Sequence, residues 1–109
     1  MAKDKVGMVE RLYAVIAARR NADAGASYTA ALLSKDVDDV ARKMGEEAVE
    51  TMIAAVREDK ASAVRESADL LYHLLVLWAR LGIAPDEVAG ELKRREGQSG
   101  IAEKKSRGK

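Results

Sequence analysis

The stretch RESADLLYHLLVLWAR, residues 65–80, decides the fold of this chain. Beyond its first few residues almost every side chain is apolar, which is typical of a helix that is buried on most of its sides. Glu66, Asp69 and His73 interrupt this pattern at i, i+3 and i+7, so they share one edge of the helix. We interpret His73 as a hydrogen-bonded core residue. An unpartnered carboxylate among apolar neighbours is costly, so such acids are expected either to protonate or to pair with a cation.

The segments on either side of this stretch predict further helices. The polar sequence REDK, residues 57–60, is the only break between two apolar periodicities, and so short a connection predicts an antiparallel helical hairpin. The sequence YTAALLS, residues 28–34, predicts at most a short helical turn. Helices are predicted at residues 8–20, about 35–58, about 61–81 and about 85–95.

The predicted helix over residues 35–58 has two different faces. Acids stand on the side opposite an apolar stripe, with Val49 and Ile53 at their border. The stripe consists of Val37, Val40, Ala41, Met44, Ala48, Met52 and Ala55. The acids are Glu46, Glu47 and Glu50.

Composition limits what the chain can be. Its 109 residues predict one domain, residues 1–109, with a flexible tail over residues 97–109. An apolar share of 48%, a charged share of 34% and a single proline predict an all-α fold. A net charge of +1 argues against a nucleic-acid partner, and the absence of cysteine excludes disulfides and thiolate metal sites. Without a signal peptide or a membrane-spanning apolar run, we expect a soluble cytoplasmic protein that has no membrane partner.

The acids of the two hairpin helices are predicted to face each other. If the turn lies at residues 58–60, counting outwards pairs Glu50 with Asp69 and Glu46 with His73. Carboxylates that converge in this way must either protonate or bind a cation. Oxygen ligands favour Mg²⁺, or Mn²⁺, and Mg²⁺ with few protein ligands suggests phosphate chemistry.

Other interpretations of these acids stay open at this point. Acidic runs on helices are usually solvated faces with Lys or Arg partners, and such a face suits a non-catalytic helical interaction module. A ferritin-like di-iron bundle is disfavoured, because that pattern needs Glu-x-x-His pairs and the chain has one His. Lys43 stands one turn before Glu46 and Glu47, where it can pair with Glu47 or reach a phosphate.

The motif GEEAVE, residues 45–50, followed after 15 residues by ESAD, residues 66–69, resembles the E-E-x-x-E…E-x-x-D signature of the all-α nucleotide pyrophosphohydrolase superfamily, which includes MazG-like proteins. Four runs are similar, in the same order, to those of the phosphoribosyl-ATP pyrophosphatase family. They are SYTAALL, ARKMGEEAVE, ADLLYHLLVLWA and SGIAEKKSR. The similarity covers residues 12–107, most of the chain.

This resemblance implies Mg²⁺-dependent hydrolysis of phosphoribosyl-ATP to phosphoribosyl-AMP and pyrophosphate, the second step of histidine biosynthesis. A MazG-like house-cleaning nucleoside triphosphate pyrophosphohydrolase is the alternative. The resemblance also implies a homodimer that completes a four-helix-type bundle around the hairpin. The implied metal ligands are Glu47, Glu50, Glu66 and Asp69. Glu46 is implied for catalysis, and the implied substrate-binding residues are Lys43, Lys104 and Arg107.

Overall fold

The computed structural model describes residues 7–96, and this part of the chain is all-helical. The predicted helices are confirmed, with ends that differ by at most a few residues from those expected. The five helices are α1 Met8–Ala18, α2 Tyr28–Leu33, α3 Val37–Val56, α4 Lys60–Leu81 and α5 Pro85–Arg95. The predicted tail, with Lys104 and Arg107, lies outside the described residues.

Helix α2 is longer than the single turn predicted for its sequence. The hydroxyl oxygen of Ser27 accepts a hydrogen bond from the backbone N–H of Ala30 at 2.9 Å, and this N-cap satisfies one of the free donors of the first turn. Leu32 and Leu33 are both buried in the core. Packing of these two leucines stabilises a helix that is too short to be stable by itself.

Helix α4 is the centre of the fold. It packs along α3 as the second arm of the hairpin, and it also contacts α1 and α2, while α5 contacts α1. The C-terminal half of α4 carries the core, with Leu75 and Val76 fully buried. The core cluster consists of Ile16, Leu32, Leu33, Val40, Leu75, Val76 and Ala79. The apolar run of residues 65–80 therefore belongs to the helix against which α1, α2 and α3 pack.

The apolar stripe predicted on α3 is only in part its packing face. Val40 is buried, but Met52 and Ala55 are exposed. The residues that α3 buries are Val40, Glu47 and Ala54, so its buried face runs through an acid. Periodicity missed this face because a carboxylate does not count as apolar.

The described helices can be compared, in length and apolar character, with a membrane-spanning helix. No single helix among residues 7–96 is both long enough and apolar enough to cross a bilayer. The helix pair Lys60–Leu81 and Pro85–Arg95, bent by 107° at its break, meets the requirements for a span by length and composition alone.

Helix α3 ends in a Schellman motif at the turn of the hairpin. The N–H of Asp59 donates to the carbonyl of Ala54 at 3.2 Å, and the N–H of Glu58 donates to that of Ala55 at 3.0 Å. This geometry requires a positive φ at Glu58, which has φ 56°. A non-glycine side chain is strained in that conformation.

Helix α4 ends in the same motif, with a better suited residue. The N–H of Ile83 donates to the carbonyl of Trp78 at 2.9 Å, and Gly82 stands at the positive-φ position with φ 75°. Glycine has no Cβ and adopts this conformation without strain. The two hairpin helices thus end in the same motif, with glutamate at the positive-φ position of one and glycine at that of the other.

We expect Glu58→Gly to stabilise the protein by about 0.5–1 kcal/mol and Gly82→Ala to destabilise it by about 1 kcal/mol. Urea unfolding followed by circular dichroism, at one protein concentration for all variants, measures both changes. Gly90→Ala is the control, because Gly90 lies inside α5 with open space at its Cβ position, so that alanine there should stabilise. A destabilised Glu58→Gly would show that the Glu58 side chain makes a compensating contact.

Candidate active site

Three carboxylates meet between α3 and α4. One oxygen each from Glu47, Glu66 and Asp69 lies within 4.8 Å of the other two. Glu47 comes from α3, and Glu66 and Asp69 come from α4, one turn apart on the same edge. The sequence predicts that the acids of the two hairpin helices converge, and the prediction is confirmed for these three.

Burial within this acidic cluster differs from what the sequence suggested. Asp69, which stands inside the apolar run, is exposed, whereas Glu47 is only 6% exposed. One carboxylate oxygen of Glu66, Oε1, is buried and has no hydrogen-bond partner. The costly burial thus falls on Glu47 and Glu66 rather than on Asp69.

The hairpin turn sets which acids meet. It lies at residues 57–59, between the end of α3 and the start of α4, which is one residue earlier than predicted. Counting outwards from its centre places Glu47 opposite Asp69 and Glu50 opposite Glu66. The predicted pairing of Glu50 with Asp69 is therefore wrong by about one helical turn.

Thr51 fixes the register of the two helices, although nothing in the sequence distinguishes this residue. Its hydroxyl lies 2.8 Å from the carbonyl oxygen of Glu47 and 3.1 Å from that of Glu66. The shared hydrogen bond connects the backbones of α3 and α4 beside the acidic cluster. A threonine four residues after a helix acid is a weak signal in sequence, because such hydroxyls often bond back to their own helix.

Glu50 stands next to the cluster without joining it. It is exposed, and it lines a groove together with Glu66 and Arg57. Burial raises the pKa of Glu66 above its ordinary value, and the charges of Glu50, Asp69 and Glu47 raise it further. An acid held among acids in this way favours either a proton or a cation.

Lys43 is the cation at the α3 side of the cluster. Its Nζ lies 3.3 Å from Glu47 Oε2 and 3.8 Å from Glu46 Oε1. The hydrogen bond to Glu47, followed by the charge of that carboxylate, raises the pKa of Lys43. Both arrangements considered from sequence, pairing with Glu47 and access to a ligand, are compatible with this position. Glu46 itself is exposed and lies outside the three-acid group.

His73 is part of a hydrogen-bonded cluster below the acids, as predicted. The ring is 7% exposed, and its Nδ1–H donates to the backbone carbonyl of Asp69 at 2.8 Å. Nε2 is then the acceptor, and the hydroxyl of Tyr28 donates to it at 3.4 Å. The rings of Tyr72 and His73 pack edge to face at 5.0 Å, and the hydroxyls of Tyr72 and Thr29 share a hydrogen bond. These contacts attach α2 to the acid-bearing part of α4.

A family model described as phosphoribosyl-ATP pyrophosphohydrolase matches residues 9–96. The chain belongs to this family. The match spans α1 to α5 and contains every member of the acidic cluster. The family resemblance inferred from four sequence runs is thereby confirmed.

Three relatives of this family are similar over nearly their full length. The chain is 58% identical to a phosphoribosyl-ATP pyrophosphatase of Parvibaculum lavamentivorans, with 99% of this chain and 98% of the relative covered. It is 55% identical to the proteins of that name from Azospirillum brasilense, with 98% of each covered, and from Paramagnetospirillum magneticum, with 100% and 99% covered.

We expect Glu66→Gln to raise the melting temperature of the metal-free protein at pH 7 by about a few degrees. The neutral amide removes repulsion among the acids and can donate to a neighbouring carboxylate. Differential scanning fluorimetry in EDTA measures this change. Glu10→Gln is the control, because Glu10 is an exposed acid in the first turn of α1. A less stable Glu66→Gln would assign the carboxylate to a structural network.

Proposed function

We propose that this chain hydrolyses phosphoribosyl-ATP to phosphoribosyl-AMP and pyrophosphate with the help of Mg²⁺, the second step of histidine biosynthesis. This proposal rests on the cluster of Glu47, Glu66 and Asp69, whose oxygens lie within 4.8 Å of one another. One of the carboxylate oxygens of Glu66, Oε1, is buried and lacks a hydrogen-bond partner. Family membership and the names of full-length relatives support the same substrate. We expect the reaction to take place in the cytoplasm.

The donor set of the acidic cluster fits a hard divalent cation. Mg²⁺ binds oxygens at about 2.0–2.1 Å. The three carboxylates, whose oxygens lie within 4.8 Å of one another, would hold such an ion by closing on it. In this proposal Glu47, Glu66 and Asp69 are ligands, and the neighbouring Glu50 completes the predicted set of four. Mn²⁺ suits the same oxygen ligands.

Held by these carboxylates, the ion would supply charge neutralisation for the phosphates and would make the attacking water more acidic. The residues of the chain then position the reacting groups. Glu46, exposed beside Lys43, is proposed to orient the attacking water and to accept its proton. Lys43 is proposed to bind a phosphate, since its ammonium stands beside the acidic cluster. Lys104 and Arg107, outside the described residues, remain predicted phosphate contacts.

We expect Asp69→Asn to reduce pyrophosphate release from phosphoribosyl-ATP by at least about 100-fold, because removing a ligand carboxylate weakens both metal binding and phosphate positioning. Asp86→Asn is the matched control, an exposed aspartate in the first turn of α5 that lies outside the acidic cluster. Circular dichroism establishes that each variant keeps its helices. Full activity of Asp69→Asn would remove this residue from the ligand set.

A substrate panel tests the proposed activity itself. Wild-type protein with Mg²⁺ is expected to release pyrophosphate from phosphoribosyl-ATP in preference to ATP and to other nucleoside triphosphates. A preference for free nucleoside triphosphates would instead favour the MazG-like alternative. Absence of Mg²⁺ binding in calorimetry would favour the non-catalytic interaction module.

The proposal includes a homodimer that completes a four-helix-type bundle. Val49, Met52, Ile53 and Val56 recur at i, i+3, i+4 and i+7 on α3, and they are 43–77% exposed in the single chain. Such a seam of large apolar residues is typical of a helix that packs against another helix. It borders the acid-bearing edge of α3, so that a partner on this seam would enclose the site.

Sedimentation equilibrium at micromolar concentration is expected to give twice the 11.8 kDa mass of one chain. Val56→Lys places a charge on the most exposed residue of the proposed contact and should shift the protein to monomer, raising the dimer dissociation constant by at least about tenfold. Val15→Lys is the control, a comparably exposed valine on α1. A wild-type monomer would contradict the dimer without affecting the proposed reaction.

A further inference from the structure

A cavity of about 270 Å³ lies between α2 and the N-terminal half of α3, next to the acidic cluster. Tyr28 and Leu32 form one wall. The lining residues of α3 recur at i, i+3, i+4 and i+7, which places them on one face of the helix, and they are Asp39, Arg42, Lys43 and Glu46. Lys35, just before α3, completes the lining.

The cavity continues into the proposed metal site. Lys43 and Glu46 line it, and Lys43 Nζ is 3.3 Å from the Glu47 carboxylate of the acidic cluster. Helix α3 rises by about 15 Å between its first residue and Glu47, and Lys35 lies beyond that first residue. A ligand with its triphosphate at the acids can therefore extend along the cavity towards Lys35.

The three cations of the cavity differ in their partners. Arg42 pairs with Asp39 at 2.7 Å, and Lys43 pairs with Glu47 and Glu46. Within residues 7–96 the ammonium of Lys35 has no carboxylate at ion-pair distance. Lys35 is thus the cation of this lining whose charge no carboxylate among residues 7–96 neutralises.

The backbone at Lys35 is held in place from the core. Arg80 of α4 donates through Nε to the carbonyl oxygen of Lys35 at 3.0 Å, across 45 residues of sequence. This bond anchors the segment that joins α2 to α3 at the end of the cavity far from the acids. Only the lysine side chain itself, a flexible point charge, then has to order when an anion binds.

We infer that Lys35 binds the 5-phosphate of the phosphoribosyl group, the part of the substrate that ATP lacks. This inference rests on the proposed function, because it assigns the far end of the same substrate. A purine with a ribose phosphate on each side is long enough to join the acidic cluster to Lys35. Contact with a phosphate remote from the reacting bond stabilises ground state and transition state equally, so it should act on KM rather than on kcat.

Lys35→Met tests this inference in the pyrophosphate-release assay with Mg²⁺. We expect KM for phosphoribosyl-ATP to rise by about tenfold or more while kcat stays within about twofold, since one charge-assisted hydrogen bond is lost. Lys35→Arg should retain most of the affinity. The control is Lys93→Met, an exposed lysine on α5 outside the cavity lining, which should leave both constants unchanged. Because Lys35 is exposed, its variants should keep the wild-type melting temperature.

A binding measurement gives a second readout that needs no turnover. Calorimetry with Mg²⁺ should show that wild-type protein binds phosphoribosyl-AMP at least about tenfold more tightly than AMP, and that Lys35→Met binds the two with similar affinity. Unchanged KM in an active Lys35→Met, or a preference for phosphoribosyl-AMP that survives the substitution, would overturn this inference alone. Failure of the wild-type protein to release pyrophosphate from phosphoribosyl-ATP would overturn the proposed function and this inference together.

Discussion

The close approach of like charges between α3 and α4 is the constraint on which the rest of this structure depends. Where an ordinary helical hairpin packs apolar side chains, this one brings together the carboxylates of Glu47, Glu66 and Asp69, with a buried oxygen of Glu66 left unpartnered. Repulsion and desolvation both oppose this arrangement. Other contacts fix α4 against this repulsion: the apolar core at the opposite half of the helix and the hydrogen bond of Thr51 beside the acids.

The two halves of α4 thus have different tasks. The C-terminal half is fixed by the apolar core, where Leu75 and Val76 are fully buried and α1 and α2 pack against it. The N-terminal half extends from this core and carries Glu66 and Asp69 to α3. Thr51 sets the register at the junction through backbone carbonyls, which bear no net charge and so leave the acids free for a ligand. A site that would repel itself is in this way held by elements outside it.

The sequence was sufficient for the helices, because apolar periodicity, Gly82 and Pro85 are local signals. Of the acids that it singled out, Glu47, Glu66 and Asp69 meet. It was insufficient for the register. The turn was expected too late in the chain, because Glu58 takes the positive φ that glycine usually signals, and Asp69 meets Glu47 rather than the expected Glu50. Burial was misjudged for a similar reason, since an apolar neighbourhood in sequence does not say which edge of a helix faces solvent. Lys35 had no signal at all, because its proposed role depends on contacts that join distant segments.

Charge alternates in blocks along α3. Asp38 and Asp39 occupy its first turn, as the helix dipole favours, and Arg42 and Lys43 then precede Glu46, Glu47 and Glu50. The dipole acts within the first and last turns, so it does not account for the order of charges in the middle of the helix. A substrate with phosphates at both ends does account for it, because one end can be neutralised through a metal held by the acids and the other directly by a lysine. In that arrangement neither end alone provides specificity. The acids accept any polyphosphate that carries a divalent ion. Only a second anion at the distance of Lys35 distinguishes phosphoribosyl-ATP from ATP.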